Sequence, residues 1–340
     1  MKLVMPHYCE NFRCIADKCR DNCCIGWEID IDLKTYDFYM SQKGDFGDRL
    51  KKNINHDTPC FILSENERCP FLNENNLCDI IINLGEDSLC QICSDHPRYF
   101  EWFDGICEGG TGLSCEESAR LILSDKKLFS TFEKEIEDFD CDEYESDLYE
   151  LLNSAREDII RKLEDESISL ENRVKTVLIF GSQLQENIDN FEYSLPRFCD
   201  VSAEKKVDIS KIYSFLKTLE PMDEKWTAYL DKTDTLPAKA INADVYHYLK
   251  NICVYLVWRY FLKGVFSGEI LSYIKLMAIS FIVLKDMLSK SDLSFESCVE
   301  IAKNYSKEIE YSEDNLNEIL DKTYELEMFS TASLISFLEE

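Results

Sequence analysis

The sequence predicts a mostly α-helical protein: a loop-rich, cysteine-dense N-terminal region with a few short strands, packed on an all-α helical C-terminal body. Three observations predict it. Twelve of the 16 cysteines and most of the glycines lie within the first 115 residues, among Asn and Asp turn residues and few long helical patterns. From about residue 170 onward, apolar residues recur at helical intervals. The chain has 340 residues, 45% of them apolar, which is enough for two domains. The composition shift places them at 1–124 and 125–340.

The elements follow in order. "WEIDID" (27–32) alternates and reads as a strand, with Trp27, Ile29 and Ile31 on one face and Glu28, Asp30 and Asp32 on the other. Those acids form a solvated face or a grip for an amine. "EKEIEDFDCDEYESDLYE" (133–150) holds ten carboxylates and one lysine. Around it Phe132, Ile136 and Phe139, then Tyr144, Leu148, Leu151 and Leu152, recur at helix-like intervals, so amphipathic helices are expected, with a flexible linker as the alternative. "SLENRVKTVLIFGSQLQENIDNF" (169–191) opens on a Ser169 cap and sets Val174, Val177, Leu178, Leu184 and Ile188 on one side. "ADVYHYLKNICVYLVWRYFLKGVF" (243–266) is apolar nearly all round, as a central core helix is. "SGEILSYIKLMAISFIVLKDMLSK" (267–290) follows a Gly264/Gly268 break as its neighbour, and two further helical stretches run from Ser294 and Ser312 to the end.

Net charge is −29, which opposes binding to nucleic acid or an anionic membrane and suits a lysine-bearing partner. The longest apolar runs, "ICVYLVW" and "LMAISFIVL", fall far short of the roughly 20 residues of a membrane span. The N-terminus has no apolar core of signal-peptide length. A cytoplasmic location is expected, and in a reducing compartment close-spaced cysteines bind metal more often than they pair as disulfides.

The cysteines fall into groups. "FRCIADKCRDNCCIGWEIDID" carries Cys14, Cys19, Cys23 and Cys24. "RCPFLNENNLCDIIINLGEDSLCQICSDHPR" carries Cys69, Cys78, Cys90 and Cys93, ending in a Cys-x2-Cys with the bite of a metal-binding loop. "GLSCEESARLIL" adds Cys115. Thiolates are soft anionic donors that suit Zn²⁺ or iron–sulfur clusters, and four complete a site. Redox-switching disulfides and buried structural thiols are the alternatives. The spacings are unlike the paired Cys-x2-Cys of zinc ribbons, which favours a [4Fe–4S] cluster over zinc. Cys141, Cys199, Cys253 and Cys298 read as ordinary thiols. His96 is a substitute ligand or a supporting residue. Arg98 stands beside the thiolates to grip a cofactor carboxylate, or forms a surface salt bridge.

No phosphate-binding Gly-rich loop, dinucleotide fingerprint, H-E-x-x-H or nucleophile elbow occurs. The Cys-x3-Cys-x2-Cys of radical S-adenosylmethionine enzymes begins at Cys19 and Cys23 but meets Gly26 where its third cysteine belongs.

Over residues 8–125 these blocks, in this order and spacing, resemble the flagellin lysine N-methylases (FliB-type) within the wider YkgJ-like cysteine-cluster family. The resemblance implies an iron–sulfur or other metal centre at Cys14, Cys19, Cys23, Cys24, Cys69, Cys78, Cys90, Cys93 and Cys115. It also implies methyl transfer from S-adenosylmethionine to the ε-amines of flagellin lysines. Such a reaction needs the neutral amine, whose reference pKa is about 10.4, and hence a base or a desolvating slot. Tyr36 and Tyr39 are candidate bases. Without a Gly-rich loop, S-adenosylmethionine would bind unconventionally, against the cysteine centre. A non-enzymatic metal protein, serving as a redox sensor or docking module, is the second reading.

Overall fold

The structure is a computed structural model and describes residues 1–20, 22–26, 28–137, 139, 141–199 and 208–339. Trp27 lies outside them. Helix predominates, as expected. The chain forms two compact units. The larger comprises Met1–Asn11, Phe100–Ser114 and Ser118–Glu340, and the smaller Phe12–Tyr99 with Cys115–Glu117. Contacts therefore divide the chain differently from composition, because the first eleven residues and 100–114 cluster with the helices.

The larger unit opens on a strand that local periodicity does not announce. Lys2–Pro6 pairs in parallel with Ile106–Thr111 and antiparallel with Thr131–Glu135, and Arg98–Phe103 completes a four-stranded sheet at its other edge. The start of the acidic run is thus a strand rather than a helix. Phe132 stands opposite Met5, and Lys134 opposite Leu3, partners too distant in sequence for a local pattern to reveal. Glu133, Lys134 and Glu135 charge this exposed edge, a feature that discourages further strand pairing. Helix resumes at Ser146–Leu163, which buries Leu148, Leu151 and Leu152 as the spacing predicts.

Leu170–Asp189 begins where Ser169 Oγ accepts from Asn172 N, and it buries Val174, Val177, Leu178, Leu184 and Ile188. Ala243–Tyr260 is capped by Asn242, whose Oδ1 accepts from Val245 N at 2.9 Å. It packs on Leu271–Ser289 across the break that Gly268 makes possible, with φ at +75°. Leu271–Ser289 also meets Leu170–Asp189 so closely that a Cβ at Gly181 would overlap Ile274. Ser294, Ser312 and Ser330 cap Phe295–Ile309, Glu313–Glu325 and Thr331–Phe337. Under the sheet, Arg156 grips Glu108 with two hydrogen bonds (2.5 and 2.6 Å) and lies 4.2 Å from the Trp258 ring. Among the described residues no helix is long and apolar enough to cross a membrane.

The smaller unit has short elements: helices Leu33–Ser41, Gly44–Lys52, Asp79–Leu84 and Gln91–Asp95, and a two-stranded pair of Ile54–Asn55 with Cys60–Phe61. Its core joins Ile29, Ile31, Tyr39, Leu50, Phe61 and Phe71 to Cys69 and Cys90. The alternation in 28–32 does bury Ile29 and Ile31 and expose Glu28 and Asp30. Ladder pairing, however, shrinks to one bridge, Asp30 to Cys60, so no strand forms. Asp32 turns the chain instead. It caps Leu33–Ser41 by accepting from Thr35 N.

Candidate metal centre

Two backbone devices in the smaller unit gather the cysteines. The first pairs segment 24–26 with 67–69: Cys69 N donates to Cys24 O (2.8 Å), Ile25 bridges Arg68, and Gly26 N donates to Glu67 O (3.1 Å). Cys24 and Cys69, 45 positions apart, become neighbours. The second closes the loop from Cys69 to Cys78. Leu72 bridges Cys78, and Asn73 Oδ1 accepts from Asn75 N and Leu77 N, the side-chain turn that an Asn supplies. Arg49 clamps the outside, donating to Asp79 Oδ2 and Pro70 O at 2.6 Å each and lying 5.2 Å from the Phe71 ring.

Cys78 precedes Asp79–Leu84, which ends at Gly85 with φ at +93°, a conformation glycine adopts without strain. Cys90 then takes the cap position of Gln91–Asp95, so Cys93 comes round one turn later on the same side. Asp32 Oδ2 accepts from Gln91 N (2.9 Å) and Tyr39 Oη donates to Ser88 O (2.7 Å), fixing this turn to the first helix.

Electrostatics shows which sulfurs share surroundings. Cys24 donates to Cys23, which lowers the Cys23 pKa and raises that of Cys24; His96 lowers Cys23 further. Cys93 donates to Cys90 with the same opposed effect. Within each pair the hydrogen bond thus lowers one thiol's pKa and raises the other's. Burial pushes Cys69 up to about 11 and raises Cys78, and Cys24, Cys69, Cys78, Cys90 and Cys93 feel one another's charge. Concentrated thiolates out of water are unfavourable without a compensating cation.

The structure thus brings Cys24 and Cys69 together through their backbones, pairs Cys23 with Cys24 and Cys90 with Cys93, and sets His96 beside Cys23. Cys14 lies outside the group, exposed, its sulfur accepting from Ala16 N at 3.4 Å. Cys19 stands 3.9 Å from Glu116, the neighbour of Cys115, and Arg20 donates to the same carboxylate through N (2.8 Å) and Nε (2.9 Å). Glu116 is an organiser that the sequence reading missed. Only its place beside a cysteine could have drawn attention to it. Among the described residues no three His, Cys, Asp or Glu side chains stand close enough together to hold a metal ion. The cysteines are soft donors, but they stand as hydrogen-bonded pairs rather than as three or four converging ligands.

Other candidates are used differently. Arg98 lies 5.2 Å from the Phe12 ring, and its Nη1 donates to Ser94 O at 3.4 Å. Tyr39 is fully buried, and burial beside Cys90 and Cys93 raises its pKa, so its hydroxyl donates and is poorly suited to take a proton. Tyr36 Oη meets His56 Nδ1 at 2.9 Å near the surface. Cys253 and Cys298 are buried in helices, as ordinary thiols are, and burial raises both.

Residues 156–337, more than half of the chain, match the family profile of the FliB lysine N-methylase C-terminal domain. Over 139 residues the chain is 32% identical to the lysine-N-methylases of Salmonella choleraesuis (strain SC-B67) and Salmonella typhimurium (strain LT2), a stretch that is 38% of this chain and 35% of each of theirs. It thus spans about a third of the length of those two relatives. A third relative, the flagellar biosynthetic protein FliU of Salmonella muenchen, is 31% identical over 137 residues, which are 81% of its length. No solved structure matches. With its helical body matched from Arg156 to Phe337, the chain belongs to the FliB lysine N-methylase C-terminal domain family.

Proposed function

We propose that the protein is a protein-lysine N-methyltransferase that uses S-adenosylmethionine to methylate surface lysine ε-amines of flagellin. The family match across 156–337 carries this reading. The names of the relatives, lysine-N-methylase and a flagellar biosynthetic protein, support the reaction and the substrate. The charge of −29 favours encounter with a lysine-bearing surface.

We further propose a metal centre in the smaller unit, a [4Fe–4S] cluster in preference to zinc, held by four of Cys23, Cys24, Cys69, Cys78, Cys90 and Cys93. Bound there, the metal would supply the positive charge that the clustered thiolates call for and lock the two loops. The chain's own residues do the rest. Arg49 and Asp32 hold the loops in register, and Phe71 and Tyr39 share a core with Cys69 and Cys90. Cys14, exposed and tied to its own backbone, is not in the proposed set. The cysteine blocks also support the wider YkgJ-like grouping.

Co-expression with a flagellin, followed by peptide mass spectrometry, tests the reaction. Lysine residues heavier by 14, 28 or 42 mass units are the expected result. Unmodified flagellin in the presence of S-adenosylmethionine sinks the reading and leaves the metal-dependent docking module. Iron, sulfide and zinc analysis of protein purified without oxygen tests the centre. About four irons and four sulfides per chain are expected for the cluster, and zinc without sulfide makes the centre structural.

A further inference from the structure

The two edges of the four-stranded sheet are finished differently. At one, Thr131–Glu135 is exposed along most of its length and carries Glu133, Lys134 and Glu135. At the other, residues 100–103 read Phe-Glu-Trp-Phe. The one charge in that stretch, Glu101, is neutralised by Lys263 at 2.6 Å. Among the described residues no strand pairs with the outer side of this edge, and no loop backbone hydrogen-bonds to residues 100–103. A strand edge without charge, proline or cover is a template for a further strand.

Side chains alternate along this edge. Phe103 is fully buried against Tyr149 (ring centroids 5.0 Å apart) and Phe266 (5.7 Å). Phe100 and Trp102 take the other face, 6.2 Å apart and both half-buried. The Trp102 ring is met by Phe139 at 4.8 Å and a tilt of 47°, and Phe139 is itself 55% exposed. The charge around this ring pair has one sign. Phe139 stands inside the run 133–150, with its ten carboxylates and one lysine. Glu133 is held by Lys2 (2.7 Å) and Glu145 accepts from Tyr193 Oη (2.6 Å). Glu137 and Asp142 are exposed and have no ion-pair partner among the described residues. They are two and three positions from Phe139, so at most about 11 Å along the chain, which is close to the screening length of about 8–10 Å. Aromatic faces attract a cation, tryptophan most strongly, and the carboxylates add to that attraction.

We propose that the sheet edge at residues 100–103, with the Trp102–Phe139 ring pair, docks an extended lysine-bearing segment of the protein substrate, added as a further strand with a lysine ammonium against the rings. The open backbone edge selects an extended chain, and the rings and carboxylates select the cationic side chain on it. The identity of the segment rests on the flagellin reading. The surface holds the substrate and is separate from any claim about where the methyl group is transferred.

Hydrogen exchange of the full chain with and without purified flagellin tests it, together with calorimetric titration of the two proteins. Bound flagellin is expected to slow amide exchange at residues 100–103. Phe139→Ala should weaken binding at least fivefold, and Glu137→Lys with Asp142→Lys at least tenfold. A matched charge reversal at exposed acids elsewhere, Glu224→Lys with Asp321→Lys, should change affinity less than twofold. Unchanged exchange at residues 100–103 in the wild-type complex overturns the proposal whether or not the variants fold. Equal weakening by both charge reversals also overturns it, because net charge alone then governs the encounter. No binding of flagellin to the wild type overturns it as well. Methylation in the co-expression experiment is read separately. Methylated flagellin with unprotected 100–103 sinks the docking edge alone, and protected 100–103 with unmethylated flagellin sinks the reaction and keeps the edge.

Discussion

The two units keep their polar groups in order by opposite means. The larger buries ionic and polar pairs among its long helices and its sheet: Glu108 with Arg156, Glu171 with Lys285, and Glu310 between the hydroxyls of Tyr255 (2.9 Å) and Tyr260 (3.0 Å). Among the described residues the smaller has no helix longer than nine residues. It relies on Asn and Asp side chains that close turns and on sulfurs standing where large aliphatic groups would otherwise fill the core. A core of aliphatic packing is complete by itself. A core in which thiols share protons is complete only when something fixes their charge, and this difference makes the smaller unit the place to look for a cofactor.

The largest test of that contrast removes the Cys-x2-Cys. Cys90→Ala with Cys93→Ala should abolish bound metal and erase hydrogen-exchange protection across 67–95, while protection of Leu170–Asp189 and Ala243–Tyr260 stays at the wild-type level. Unchanged protection across 67–95 would remove the contrast. Next in size, Arg156→Met leaves the Glu108 carboxylate buried without its partner and should cost about 3–5 kcal/mol. Chemical denaturation reads this, and a second change, Glu108→Gln, should recover part of the loss. Gly181→Ala sharpens the packing side of the comparison. Overlap with Ile274 should destabilise the helices by about 1–3 kcal/mol, visible as a lower melting temperature, and Ile274→Val in the same chain should relieve it. The smallest effect belongs to a cap: Ser294→Ala should cost about 1 kcal/mol, and a denaturation midpoint indistinguishable from wild type would show that the cap is dispensable.

The helical body was legible because its signals are local. Ser169, Ser294 and Ser312 announce starts, and the spacing of Val174, Val177, Leu178 and Leu184 announces a face without reference to anything distant. The sheet was not legible for the converse reason. Thr131–Glu135 reads as part of a helical run until Lys2–Pro6 is laid beside it. The centre falls between these cases. Cys90 and Cys93 declare themselves by spacing, whereas the meeting of Cys24 with Cys69 depends on backbone pairing between 24–26 and 67–69, two irregular segments with no repeating pattern. Asp32 shows how a correct alternation can still mislead: its neighbours Ile29 and Ile31 are buried as a strand would bury them, while its carboxylate serves two backbone amides that no pattern of hydrophobicity records.

The parallel pairing of Lys2–Pro6 with Ile106–Thr111 has a consequence for the order of assembly. Most of the smaller unit, residues 12–99, is written into the chain between the first strand of the larger unit and that strand's partner. During synthesis from the N-terminus, residues 12–99 emerge in full while the leading strand still has nothing to pair with. The sulfur-bearing loops can therefore close before the helices that follow exist. The leading strand is meanwhile held in waiting for a partner about a hundred residues behind it, the kind of long-range closure that sets a slow folding step.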